Sequence, residues 1–89
     1  MKKHTKIYYE AMGYDLSDWI PCEVVECGKQ AVDINHISPR GMGGSKSKDT
    51  IDNLMAMCRE CHYVLADRKS TKEFLIKCHQ IRLTERNVL

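Results

Sequence analysis

Apolar and polar residues alternate most regularly over residues 31–37 (AVDINHI). In an extended chain Ala31, Asp33, Asn35 and Ile37 share one face, while Val32, Ile34 and His36 share the other, which predicts a strand. Leu54–Met57 is a short apolar run that reads as a second strand. Between them, residues 38–49 (SPRGMGGSKSKD) combine one Pro, three Gly and three Ser, the composition of a loop. Asp49 or Thr50 is placed to cap a short turn through Ile51–Asn53. Three segments read as helical. Residues 5–12 (TKIYYEAM) form a short one with Gly13 as its stop. Residues 59–68 (RECHYVLADR) form a second. The third runs over about 71–82, opened by a capping box of Ser70 with Glu73. On it Phe74, Leu75, Cys78 and Ile81 form one apolar stripe. Residues 14–21 (YDLSDWIP) connect the first helix to a turn-like segment, CEVVECGKQ, and place Trp19 and Ile20 against the core. The order is helix, knuckle, strand, long loop, strand, helix, helix, with no internal repeats.

Composition adds a requirement to this picture. A chain of 89 residues with 6 large aromatics builds a thin core, so an additional staple is expected. There are 5 cysteines, an odd number. Lys2 and Lys3 are followed by polar residues rather than an apolar run, and no stretch has transmembrane length, so neither a secretory leader nor a membrane span is expected. These features predict a cytoplasmic protein whose thiols stay reduced, and paired cysteines then suggest metal. Cys22 and Cys27 form C-x4-C, and Cys58 and Cys61 form C-x2-C. Two such pairs suit a tetrahedral Zn2+ ion that cross-links distant segments. The alternative is a set of core cysteines or disulfides. Cys78 stands alone on the last helix and reads as a small buried hydrophobe.

Net charge is +2, but its distribution is uneven. Residues 10–27 carry five acidic side chains and no Lys or Arg, whereas residues 28–89 carry 11 basic and 7 acidic ones. Arg40, Lys46 and Lys48 form one basic cluster, and Arg68, Lys69 and Lys72 another. A local basic surface can meet phosphates; the alternative is a solvated face of mixed charge.

Of the four histidines, His36 ends the first strand and His62 follows Cys61 in the first turn of a helix. His79 reads as structural or exposed, and His4 as part of a frayed terminus. Residues 33–62 (DINHISPRGMGGSKSKDTIDNLMAMCRECH) resemble the HNH endonuclease family. The match consists of His36 followed by a hydrophobic residue and Pro39, then Gly43 and Gly44, Asp49, Asn53 and Leu54, and finally Cys58-x-x-Cys61-His62. It covers about a third of the chain, or nearly half when Cys22 and Cys27 are included. Small phage and bacterial proteins of this family often have this size and cysteine-braced form.

The resemblance implies an α+β protein, a small ββα-metal (His-Me finger) domain braced by a four-cysteine zinc site, with flanking helices. It implies a single HNH nuclease domain over residues 1–89 with its ββα-metal core at about 31–69. His36 matches the family's general base, Asn53 the middle asparagine that steadies the loop, and His62 a ligand of a catalytic divalent ion. The position before the base usually holds Asp or His as a metal ligand; here it is Asn35. A first shell of Asn35 and His62 is neutral, so Mg2+ should bind weakly and Mn2+, Ni2+ or Zn2+ should be favoured. Asp33, two residues from Asn35 on the same face, is a further candidate ligand. The chemistry agrees with the assignments. A neutral imidazole suits proton removal from water near pH 7, and a metal supplies positive charge at the scissile phosphate. Arg40 can donate to a phosphate.

The expected function is a metal-dependent endonuclease that cleaves DNA phosphodiester bonds in a bacterial or phage-infected cytoplasm. One active site cuts one strand, so double-strand cleavage requires a homodimer or two binding events. Two other readings remain. Asn35 favours a catalytically weak or inactive, zinc-stabilised nucleic-acid-binding module. A scaffold held by the zinc clip would bind no DNA. His62 has its own alternative, as a zinc ligand in place of one cysteine.

Overall fold

Two strands, β1 (Asp33–His36) and β2 (Leu54–Met57), pair antiparallel in the computed structural model, which describes residues 1–38, 48–66 and 68–88. Asp33 faces Met57, Ile34 faces Ala56, Asn35 faces Met55 and His36 faces Leu54. The strand pleat then sorts side chains to opposite faces. Ile34, Leu54 and Ala56 join Tyr8, Met12, Ile20 and Leu83 in one core cluster. Ile37, Met55 and Met57 join Cys22, Cys58, Leu75 and Cys78 in the other. All of β2 is buried, which is why its sequence is an apolar run without alternation. The expected β1 ran from 31 to 37; the ladder is shorter, and Ala31 and Val32 instead donate to Ile20 O and Met57 O.

Helix α1 (Lys3–Met12) covers the first face through Tyr8 and Met12. Gly13 ends it at φ +76°, a left-handed conformation open to glycine at little cost, as the sequence predicts. The Arg86 guanidinium donates to Met12 O at 2.7 Å and lies over the Tyr14 ring, tying this end to the C-terminal helix. A 3-10 turn (Ile51–Asn53) precedes β2, and α2 (Arg59–Leu65) follows it. The last helix, α3 (Lys69–Glu85), is longer at both ends than expected. No helix among the described residues is long and apolar enough to cross a membrane.

Three local expectations are corrected. The Ser70–Glu73 capping box does not form: Arg68 occupies the N-cap position without a side-chain cap. The Thr71 hydroxyl instead donates to Leu65 O at 2.5 Å, pinning the start of α3 to the end of α2. The buried face of α3 is Leu75, Cys78, His79 and Leu83, whereas Phe74 and Ile81 are exposed. His79 has turned inward to a buried partner and rotated the stripe with it. Cys78 is buried, as expected. Ile20 is buried too, but Trp19 is 56% exposed.

Candidate functional site

The knuckle begins where the chain enters alongside β2. Glu23 N–H donates to Ala56 O, Cys22 N–H to Lys29 O, and Cys27 N–H to Val24 O, closing the turn that faces both cysteines inward. Cys58 caps the N-terminus of α2 and Cys61 lies in its first turn. The four sulfurs of Cys22, Cys27, Cys58 and Cys61 all lie within 4.8 Å of one another. Cys27 Sγ is 3.7 Å from Cys58 Sγ and 3.6 Å from Cys61 Sγ. Zn–S bonds of about 2.3 Å in a tetrahedron separate sulfurs by about 3.8 Å, so the quartet has the dimensions of a zinc site. Burial works against ionising these thiols. It pushes Cys22 up, and burial with the neighbouring thiols pushes Cys61 up. At Cys58 burial is outweighed by the Cys61 N–H and the adjacent thiols, which hold it below the usual range. A divalent cation resolves the conflict by stabilising every thiolate at once. Across the rim, Lys29 pairs with Glu60 at 2.5 Å.

On the other side of the sheet's end, His36 Nε2 lies 2.7 Å from Asp49 Oδ1. A carboxylate accepts, so Nε2 is the donor, and in the neutral ring Nδ1 is the nitrogen that holds the lone pair. Among the described residues Nδ1 makes no hydrogen bond. Asn53 closes the neighbourhood. Its Oδ1 accepts from Ser38 N–H at 2.7 Å, and its Nδ2 donates to Ser38 O at 3.0 Å and to Lys48 O at 2.9 Å. Asn53 O also accepts Ile37 N–H at 2.9 Å. One side chain thus holds together the two residues that flank 39–47. Arg40 and Lys46 lie outside the described residues; Lys48 is half-buried.

Asn35 precedes His36, and the pleat directs it to the opposite face. It is 8% exposed, and its Nδ2 is buried without a partner among the described residues. His62, half-buried on α2, makes no side-chain hydrogen bond among the described residues. Asp33 Oδ1 accepts the N–H of Ile34 at 2.9 Å, folding back onto its own strand.

Two neighbours of His36 were not assigned to it from sequence. Asp49 reads as a turn cap, although it falls within the matched pattern. His4 reads as frayed, yet α1 begins at Lys3 and the His4 ring centroid is 4.6 Å from that of His36. The signal was its spacing, since His4, Tyr8 and Met12 recur every four residues along one helix face.

A buried network joins these regions. Glu23 Oε2 accepts from the Tyr8 hydroxyl and from Ala56 N–H at 3.0 Å. Its Oε1 accepts from His79 Nδ1 at 2.5 Å, and His79 Nε2 donates to Ile51 O at 2.5 Å. Burial opposes protonation of His79, but the Glu23 carboxylate and the Ile51 carbonyl outweigh it and raise its pKa. Burial first, and then Glu23, push the Tyr8 hydroxyl well above its ordinary range.

A two-stranded sheet, a helix after its second strand, a four-cysteine metal site and a histidine at the end of the first strand define a small α+β protein of the ββα-metal kind. A family profile, HNH endonuclease, matches residues 22–68, more than half of the chain. The chain belongs to that family, and membership points to nuclease chemistry. No curated protein and no solved structure matches it.

Proposed function

We propose that this chain is a metal-dependent endonuclease that hydrolyses DNA phosphodiester bonds with His36 as general base. The observation that carries the reading is the bond from His36 to Asp49. With Nε2–H held by a carboxylate and no hydrogen bond to Nδ1 among the described residues, Nδ1 takes a proton from water, and Asp49 then steadies the imidazolium that results. Asn53 supports the arrangement by fixing Ser38, two residues after the base, to Lys48, one residue before Asp49.

A catalytic divalent ion would be held by His62 and the Asn35 amide oxygen. The observation behind this set is the His62 ring, which makes no hydrogen bond among the described residues. At Asn35 the unpartnered atom is the amide nitrogen, a donor that cannot ligate a cation, so only the amide oxygen would serve. The ion would supply positive charge at the phosphate and the leaving oxygen. Both donors are neutral and one is imidazole, which favours Mn2+, Ni2+ or Zn2+ over Mg2+. Arg40, Lys46 and Lys48 are the proposed contacts to the DNA backbone, and a second copy or a second binding event is required to cut both strands.

Nicking of supercoiled plasmid in Mn2+ or Mg2+, parent against His36→Ala, tests the reading. The variant should lose roughly 10²–10⁴-fold in rate, the usual contribution of a positioned base. Equal rates would remove His36 from the mechanism. Binding to duplex DNA should fall steeply with salt. Salt-sensitive binding without any metal-dependent cleavage would replace the nuclease reading with a zinc-stabilised binding module.

A further inference from the structure

Helix α1 lies outside residues 22–68, the stretch matched to the family, yet its first turn reaches the base. The His4 and His36 rings meet at 4.6 Å with their planes tilted by 54°. The helix that delivers His4 is well anchored. One turn on, Tyr8 is fully buried and donates to Glu23, and after another turn Met12 is buried in the same cluster. His4 therefore stands where the core puts it.

The contact matters because a single hydrogen bond does not fix a ring. Among the described residues the ring's one hydrogen bond is the Nε2 bond to Asp49, and by itself that bond leaves the imidazole free to pivot about one atom. A second contact on the ring removes the pivot. The groups around His4 are Lys2 at its own helix end, Asp33 and His36 on β1, and Asp49 before the 3-10 turn. Burial and the neighbouring His36 hold its pKa below the ordinary value, so it packs as a neutral ring near pH 7.

We propose that His4 is a positioning residue for the general base: it closes one side of the His36 ring and fixes the ring plane that presents Nδ1 to water. This rests on the assignment of His36 as the base. The packing itself is independent of that assignment, and the experiment separates the two.

His4→Ala and His4→Phe are compared with the parent and with His36→Ala. The readouts are kcat and KM for plasmid nicking in Mn2+ and the ring signals of His36 by NMR. Circular dichroism and zinc content confirm that each variant is folded. His4→Ala should lower kcat about ten- to hundredfold with KM unchanged, the scale of a misplacement of about 1 Å. It should also move the His36 ring signals, since a neighbouring ring current is lost. His4→Phe keeps a ring and should restore most of the rate. Parent kcat in folded His4→Ala, an effect confined to KM, or failure of Phe to rescue overturns the proposal. Unmoved His36 signals overturn the ring contact whether or not the protein cleaves DNA. Parent-like nicking by His36→Ala would instead overturn the base assignment, while the NMR comparison still reports the contact.

Discussion

His36 Nε2 and Asp49 Oδ1 stand 2.7 Å apart in side chains only 15% and 5% exposed. At that burial the carboxylate selects the tautomer of the neutral ring, because the other tautomer leaves Nε2 without its proton and two acceptors face to face. Asp49→Ala should lower kcat roughly 10- to 100-fold and leave DNA affinity near the parent value, a fraction of what a positioned base contributes. Asp49→Asn should fall between the two, since an amide oxygen still accepts but carries no charge. Single-turnover nicking measures this, and an unchanged rate in Asp49→Ala would show that the pair has no catalytic role.

Among the described residues Asn53 makes three side-chain hydrogen bonds, two to Ser38 and one to Lys48. Asn53→Ala should destabilise the fold by about 1–3 kcal/mol, the cost of leaving buried polar groups unsatisfied. It should also lower kcat, because Ser38 lies two residues after His36, the proposed base, and Lys48 one residue before its partner Asp49. Asn53→Asp keeps the acceptor for Ser38 N–H and loses both donors, so it should be intermediate in stability. Urea denaturation beside the nicking assay checks both effects. Full stability in Asn53→Ala would mean that other contacts close this region.

Four sulfurs within 4.8 Å are held together against burial and mutual repulsion. Purified protein should contain one Zn2+ per chain. Chelation should abolish much of the helical circular dichroism, and added Zn2+ should restore it, as in small domains whose metal supplies folding free energy. Cys58→Ser should bind zinc more weakly. Undiminished helicity after complete zinc removal would show that the two cores suffice alone.

The parts of this structure that were legible in the sequence are those set by neighbours in the chain. β2 matches the apolar run at Leu54–Met57, Gly13 stops α1, and the two cysteine pairs converge as their spacing suggests. The rest depends on residues far apart. His79 and Glu23 are separated by 56 positions, and only folding brings them together. A histidine with a buried carboxylate partner behaves as a core residue, which turned α3 by enough to expose Phe74 and Ile81. Trp19 has an apolar side chain, but residues 14–21 supply few apolar neighbours to cover it. The His36 partners were obscured for different reasons: Asp49 has an obvious local role as a cap, and His4 sits close to the chain start.

His79 donates from both ring nitrogens, to Glu23 Oε1 and to Ile51 O, so the bonded form is the imidazolium. Its pKa is raised in the folded state. Its contribution to stability is therefore complete below the unfolded value of about 6.5 and is lost as pH rises through the higher folded value. Zinc thiolates change in the opposite sense, since acid protonates them, so the two effects must be separated. His79→Gln in zinc-saturated protein isolates the first. It should be less stable by roughly 3–5 kcal/mol at pH 6, because it leaves the Glu23 charge buried without its partner. The gap between parent and variant should narrow above pH 6.5, as the parent loses the contribution that the variant already lacks. Urea unfolding of both proteins across pH 5.5–9 measures this difference directly. A gap that stays constant with pH would show that His79 stabilises the fold by packing rather than through its proton.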